Sequence, residues 1–160
     1  MADDVRVSVR LVQDRIDSPV GAALVTQLND DLRDRYGAED TDQPWPTDLV
    51  PPGGIFLVAW LDDEPVGCGG VRRHEPGIGE IKRMYVRPDA RRKGIARAVL
   101  TGVEEHARAF GYTRLILETG TQQPEAIALY ESQGYEPIDP YGHYKSSPLS
   151  RCFARELDPY

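Results

Sequence analysis

The sequence predicts a mixed sheet with helices packed against its faces, a fold of the α/β or α+β class. Three observations predict it. Apolar and polar residues alternate over residues 5–12, the period of a half-buried strand. Ala96, Val99, Leu100, Val103, Ala107 and Phe110 recur at helical spacing. Strand-like and helix-like stretches are interleaved in the order β-α-β-β-β-α-β-α-β-β, which is not the pattern of a bundle or an all-β sandwich. A length of 160 residues suits one domain, 1–160, with a single substantial core.

The elements follow in chain order. After the strand at 5–12, residues 19–35 read as a helix with Val20, Ala23, Leu24, Leu28 and Leu32 on one face. Ser18 is its expected N-cap and Pro19 its first residue. Residues 37–54 are rich in Gly, Pro, Asp and Thr and carry Trp45 between two prolines, so they read as a long loop of the kind that often serves function. Strands at 55–61 and 65–73 are joined by Asp62-Asp63-Glu64, and Pro76-Gly77-Ile78-Gly79 turns the chain into a strand over 80–86. A helix over 95–110 ends at Gly111. A buried strand at 113–117 is followed by a helix from Pro124 that stops before Gly134, and strands at 135–138 and 152–157 complete the chain.

Composition narrows the function classes. The net charge of −7 argues against a nucleic-acid binder. No apolar run approaches the roughly 20 residues that span a bilayer. The acidic N-terminus lacks an apolar signal core, which points to a cytoplasmic protein. Cys68 and Cys152 lie in apolar, strand-like runs and read as two buried free thiols. His74, His106 and His143 show no metal-ligand spacing, so no metal is expected.

The charge is unevenly spread. Lys82, Arg83, Arg87, Arg91, Arg92, Lys93 and Arg97 crowd one stretch that contains a single acid, Asp89. There a strand enters a basic turn with Gly94, and the turn opens directly into a helix. Unpaired N–H groups at a helix start, the helix dipole and a glycine without a Cβ together make a socket for a pyrophosphate. A concentrated basic turn on an acidic chain suits a small polyanion better than a long one.

At this point the motifs resemble the GNAT superfamily, the acyl-CoA-dependent N-acetyltransferases. The family's pyrophosphate signature reads here as Arg91-Arg92-Lys93-Gly94-Ile95-Ala96, preceded by Met84-Tyr85-Val86-Arg87-Pro88. A second block, Glu125-Ala126-Ile127-Ala128-Leu129-Tyr130 through Gly134-Tyr135, looks like another of its elements. Where many members carry Asn ahead of the last helix, this chain has Gln123, and the signature's second glycine is Ala96. The resemblance implies a central mixed, mostly antiparallel sheet flanked by helices, with a splayed strand pair forming an acyl-CoA cleft.

It also implies the chemistry: an amine attacks the thioester of acetyl-CoA, used as a co-substrate, without a metal. The implied cofactor contacts are Met84, Tyr85, Val86, Arg91, Arg92, Lys93, Gly94, Ile95, Ala96, Arg97, Gln123, Ala126 and Tyr130. The backbone N–H of Met84 would face the developing oxyanion, an effect worth about 3 kcal/mol of barrier. Val86 would bond the pantetheine through its backbone, as an added strand does. Tyr130 would protonate the departing thiolate. Glu80, four residues before Met84, stands where some members place the general base; the alternatives are an ion pair with Arg83 or Arg73, a network of waters, or Glu118 as the base.

The acceptor is a small-molecule primary amine on this reading, with no nucleic-acid or membrane partner; dimers are common in the family. Its site is expected from the loop at 37–54, the hairpin at 75–79 and the segment 141–150, with His143 bordering it and the Trp45 loop as a lid. Cations at Arg72, Arg73, Lys82 and Arg83 favour an acceptor that carries a carboxylate, such as an amino acid. Two other readings are a protein or peptide N-acetyltransferase, which predicts an open groove beside Glu80, and a non-catalytic acyl-CoA sensor.

Overall fold

The computed structural model describes residues 8–37 and 44–158. Seven strands form one sheet in the order β1-β2-β3-β4-β5-β7-β6. The strands are β1 (Val9–Asp14), β2 (Ile55–Leu61), β3 (Glu64–Glu75), β4 (Ile78–Val86), β5 (Arg114–Gly120), β6 (Glu136–Ile138) and β7 (Ser150–Glu156). All neighbours are antiparallel except β4 and β5, which run parallel. The helices are α1 (Pro19–Tyr36), α2 (Ile95–Ala109) and α3 (Pro124–Ser132). Element order and mixed, mostly antiparallel sheet are those the sequence predicts. The first part of the strand expected over 5–12, and residues 38–43 of the long loop, lie outside the described residues.

Alternation along β2 explains the two layers of core. Ile55, Leu57 and Ala59 face α2 and α3, where they join Val99, Leu100, Val103, Leu115 and Tyr130. Phe56 and Val58 face the other way and pack with Leu24 and Leu28 of α1, Leu49, Cys68 and Tyr85. Successive strand residues point to opposite faces, so a strand covered on both reads as a continuous apolar run. Ser18 caps α1 by accepting from the Gly21 N–H at 2.9 Å, and Gly37 closes it in the left-handed region at φ 75°.

Boundaries shift where turns are tighter than composition suggests. Glu64 already belongs to β3, because Asp62 turns the chain at φ 53° and leaves a two-residue connection. Part of the expected long loop is ordered: Pro46–Leu49 forms a 3-10 turn that buries Leu49. Cys68 and Cys152 are both buried and free, and burial pushes the Cys68 thiol up to about 12.

Candidate active site

The cleft begins where β4 and β5 part. Their pairing covers only Ile78↔Arg114, Gly79↔Leu115 and Glu80↔Ile116. Beyond Glu80 the strands diverge. The cause is local: the β3–β4 register passes from Gly70↔Lys82 to Cys68↔Tyr85, so Arg83 and Met84 bulge opposite Gly69. Arg83 takes φ 63°, and a Cβ at Gly69 would collide with the Met84 sulfur and a Val99 methyl. Arg87 N–H bonds Val66 O at 2.8 Å. By strand alternation, the N–H and C=O of Val86 therefore point away from β3, toward the open side.

The expected pyrophosphate turn lies at one end of this cleft. A 3-10 turn at Pro88–Ala90 leads to Arg92 at φ 66° and Gly94 at φ 78°. The first bond of α2 is Ala98 N–H to Gly94 O at 3.1 Å, so Ile95, Ala96 and Arg97 have N–H groups without a helical partner. A groove of about 670 Å³ runs from this turn past Met84, Tyr85 and Val86 to Gln123, Ala126 and Tyr130. Arg91, Arg92, Gly94, Ile95, Ala96 and Arg97 line it, and Lys93 does not: its side chain is exposed outside the groove. The Tyr85 side chain is spent on the α1-facing core, so its place in the groove is a backbone one. Arg91 Nε bonds Val86 O at 3.0 Å and its other end approaches Asp31 at 3.7 Å, while Arg35 clasps Asp31 and Glu125 across the groove.

A second cavity of about 260 Å³ fills the rest of the cleft. β4 contributes Ile81, Lys82, Arg83 and Met84, and β5 contributes Leu117 through Gly120. Leu28, Leu32 and Tyr36 of α1 and Tyr144, Ser147, Leu149 and Ser150 of the late segment close it. Leu28, Met84, Gln123 and Tyr130 line both spaces and mark where they meet.

Tyr130 is buried at that junction, edge-on to Tyr135 at 5.7 Å and tilted against Phe153 at 6.4 Å. Burial raises its phenol well above the ordinary range, which keeps it a proton donor. Tyr135 is anchored in turn, donating to buried Glu104 at 2.9 Å, where Arg155 also binds at 2.6 Å.

The two candidate bases separate. Glu80 is 5% exposed and does not line the cavity. Arg72 holds its Oε1 through Nε and Nη2, both at 2.9 Å, and the Tyr141 hydroxyl donates to Oε2 at 2.8 Å. The Glu80 expectation is thereby corrected in two respects: the carboxylate is committed to an ion pair, and its partner is neither Arg83 nor Arg73. The partner is Arg72 because the β3–β4 register sets those two residues side by side. Glu118 does line the cavity and accepts from Ser150 Oγ at 2.9 Å. Burial raises its proton affinity above that of an ordinary glutamate, against the Ser150 and Cys152 hydrogen bonds and the Lys82 charge.

The expected acceptor walls are also partly replaced. Of the described residues of the 37–54 loop and the 75–79 hairpin, none lines the cavity, and Trp45 stands 75% exposed away from it. His143 is exposed against Tyr144, and Tyr144 is the residue that reaches the cavity. The sequence reading missed Tyr36. Its hydroxyl donates to Gln123 Oε1 and accepts from Gln122 N–H, both at 3.1 Å, and its ring fills the space that a side chain at Gly120 would need. The bare Gly120 beside Thr121-Gln122-Gln123 was the available signal.

Known proteins resemble this chain in sequence and fold. The profile described as "Acetyltransferase (GNAT) family" matches residues 20–135. The IAA acetyltransferase of Azospirillum brasilense is 42% identical over 135 residues, 84% of this chain and 88% of that one. The N-acetyltransferase YsnE of Bacillus subtilis is 38% identical over 104 residues, 64% and 69% of the two chains. The crystal structure of a Klebsiella pneumoniae protein named as an acyl-CoA N-acyltransferase superposes with a TM-score of 0.80 at 29% identity, covering 95% of this chain and 99% of that one.

Proposed function

Because the chain belongs to the GNAT acetyltransferase family, we propose that it acetylates the primary amine of a small, carboxylate-bearing molecule, an amino acid or a close relative, with acetyl-CoA as donor. The supporting observation is the meeting of two unlike spaces at Met84 and Tyr130. One has unpaired N–H groups and arginines for a polyphosphate. The other has Lys82 and Arg83 for a carboxylate, Glu118 for an ammonium, and Leu28, Leu32 and Leu149 for an apolar body.

Acetyl-CoA supplies an acyl carbon with a thiolate leaving group. The residues do the rest. The α2 N-terminus and Arg92 hold the anionic end. Val86, once Arg91 turns to a phosphate, offers its backbone to the pantetheine arm. The Met84 N–H faces the carbonyl oxygen, which gains charge as the nitrogen adds. Glu118 takes a proton from the ammonium, giving a neutral amine; the C–N bond forms as the C–S bond breaks; Tyr130 gives its proton to the departing sulfur, and the second proton that the nitrogen sheds on becoming an amide passes through solvent to restore the Tyr130 phenol. A carboxylate of raised proton affinity is the better base for an amine near neutral pH.

A peptide acceptor needs an open groove beside Glu80, and Arg72 and Tyr141 cover that carboxylate. Thiol release is the test, with L-leucine, L-phenylalanine, L-methionine and L-aspartate set against isoamylamine, phenethylamine and short peptides. Turnover of an amino acid at least tenfold above its decarboxylated counterpart is expected. Turnover confined to peptides, or release of thiol with no acceptor at all, overturns the reading.

A further inference from the structure

We propose that Glu80 and Tyr141 form a latch that holds the 139–149 segment over the acceptor cavity, so that both are positioning residues for the amine and neither belongs to the proton-transfer chain. The inference rests on the acceptor reading above. β6 and β7 are antiparallel neighbours in register at Ile138↔Cys152, and such strands are commonly joined by two to five residues. Here the chain runs on from Asp139 to Leu149 before β7 begins. That excess supplies Tyr144, Ser147 and Leu149 to the cavity wall.

Much of the segment's bonding is internal, as in Lys145 N–H to Gly142 O and Ser147 N–H to Tyr144 O. Internal bonds shape a segment without fixing where it sits. The segment reaches outside at both ends: at the far end Leu149 O accepts from Thr121 N–H at 2.9 Å, and near the start the Tyr141 hydroxyl donates to Glu80 while its ring meets His74 edge-on at 5.4 Å. Glu80 is a rigid anchor, buried, forked by Arg72 and placed on the last residue pair before β4 and β5 part. A hydroxyl-to-carboxylate bond at 2.8 Å is charge-assisted and stronger than a neutral one. Both carboxylate oxygens are engaged, Oε1 by Arg72 and Oε2 by Tyr141. The latch thus ties the long β6–β7 connection to the vertex of the cleft.

Glu80→Gln, Tyr141→Phe and the double variant test it, with L-leucine or the fastest amino acid of the panel as acceptor. Each single change is expected to raise the acceptor KM roughly tenfold, the effect of a lost charge-assisted bond. The acetyl-CoA KM, kcat within about threefold and the acidic limb of the kcat profile should stay as in wild type. The double variant should be no worse than the worse single one. Hydrogen exchange supplies a readout that needs no acceptor: amides of 141–149 should exchange faster in both variants. If Glu80→Gln instead removes the acidic limb and cuts kcat about a hundredfold while Tyr141→Phe behaves as wild type, Glu80 is the base and the latch is refuted. Additive effects, or unchanged exchange in 141–149, refute it too. Faster exchange in both variants of an enzyme that acetylates no amino acid leaves the latch standing and removes the acceptor reading.

Discussion

Ser150 donates its hydroxyl to Glu118 Oε2 at 2.9 Å, across a β5–β7 register that pairs Glu118 with Cys152 and Gly120 with Ser150. The bond is diagonal on the sheet and sits at the cavity wall. It stabilises the charged form of a carboxylate that burial would otherwise neutralise. A proton acceptor for an amine needs that balance: enough burial to want the proton, enough hydrogen bonding to be ionised beforehand.

Glu118→Gln should therefore lower kcat/KM by about 10²–10⁴ and abolish the acidic limb of the pH–rate profile. In wild type, activity should rise with pH as Glu118 ionises, at a pH above that of an ordinary glutamate. Ser150→Ala should move this limb further to alkaline pH, because the removed bond favoured the carboxylate. The stability linkage has the opposite sign to that of a salt-bridged acid. A raised folded-state value means the native protein holds the proton more tightly, so stability contributed by Glu118 is present below its unfolded value and falls as pH rises through the folded one. Rate profiles and chemical denaturation across the same pH range measure both.

Tyr130→Phe should reduce kcat about 10²–10³-fold and leave acetyl-CoA affinity within about threefold of wild type. The ring packing on Tyr135 and Phe153 survives the change, so the melting temperature should barely move. Burial raises the phenol, so Tyr130 stays protonated through ordinary alkaline pH and should produce no alkaline loss of activity there. A variant that binds acetyl-CoA and turns over normally would show that the sulfur receives its proton from elsewhere. Isothermal titration with CoA and steady-state kinetics separate the cases.

Gly94→Ala should weaken CoA binding at least tenfold and cost about 1 kcal/mol of stability. Gly94 lies at φ 78°, a conformation that L-residues adopt only under strain, and no atom lies within 4 Å of a Cβ built there. The stability cost is thus conformational, whereas the binding cost comes from a methyl group placed in the path of a phosphate. A parallel Lys93→Ala variant should bind CoA nearly as wild type does, since Lys93 stands outside the groove. Calorimetric titration of the two variants decides it.

Most of the fold was legible because its signals are local. Helical spacing in 95–110, the Ser18-Pro19 start and the glycine stops each act within one element, and each appears in the structure at or within a few residues of its expected bounds. The groove was legible for the same reason: its contacts come mainly from one strand, one turn and one helix in sequence. What was not legible depends on register. Whether Glu80 meets Arg72, Arg73 or Arg83 is decided by the register shift between Arg73 and Glu75 beside the hairpin turn, which no residue pattern announces. Whether Trp45 or Tyr144 walls the cavity depends on where two long connections fall after folding, and among the described residues only those of the second reach it. Tyr36 stayed hidden because its partners, Gln122 and Gln123, are distant in sequence.

That last contact can be tested by separating ring from hydroxyl. Tyr36→Phe removes the bonds to Gln122 and Gln123 but keeps the ring against Gly120, and should cost about 1 kcal/mol. Gly120→Ala puts a methyl group onto the Tyr36 hydroxyl and the ring edge behind it, so the end of that side chain must move. Overpacking of this kind costs roughly 1–3 kcal/mol. It also frees the chain ahead of α3, which carries Gln123 into the junction of the two cavities. Gly120→Ala should therefore raise KM for acetyl-CoA and for the acceptor together, whereas Tyr36→Phe should move both only slightly. If the two variants match in stability and in both KM values, the hydroxyl bonds and not the ring hold α1 to the start of α3.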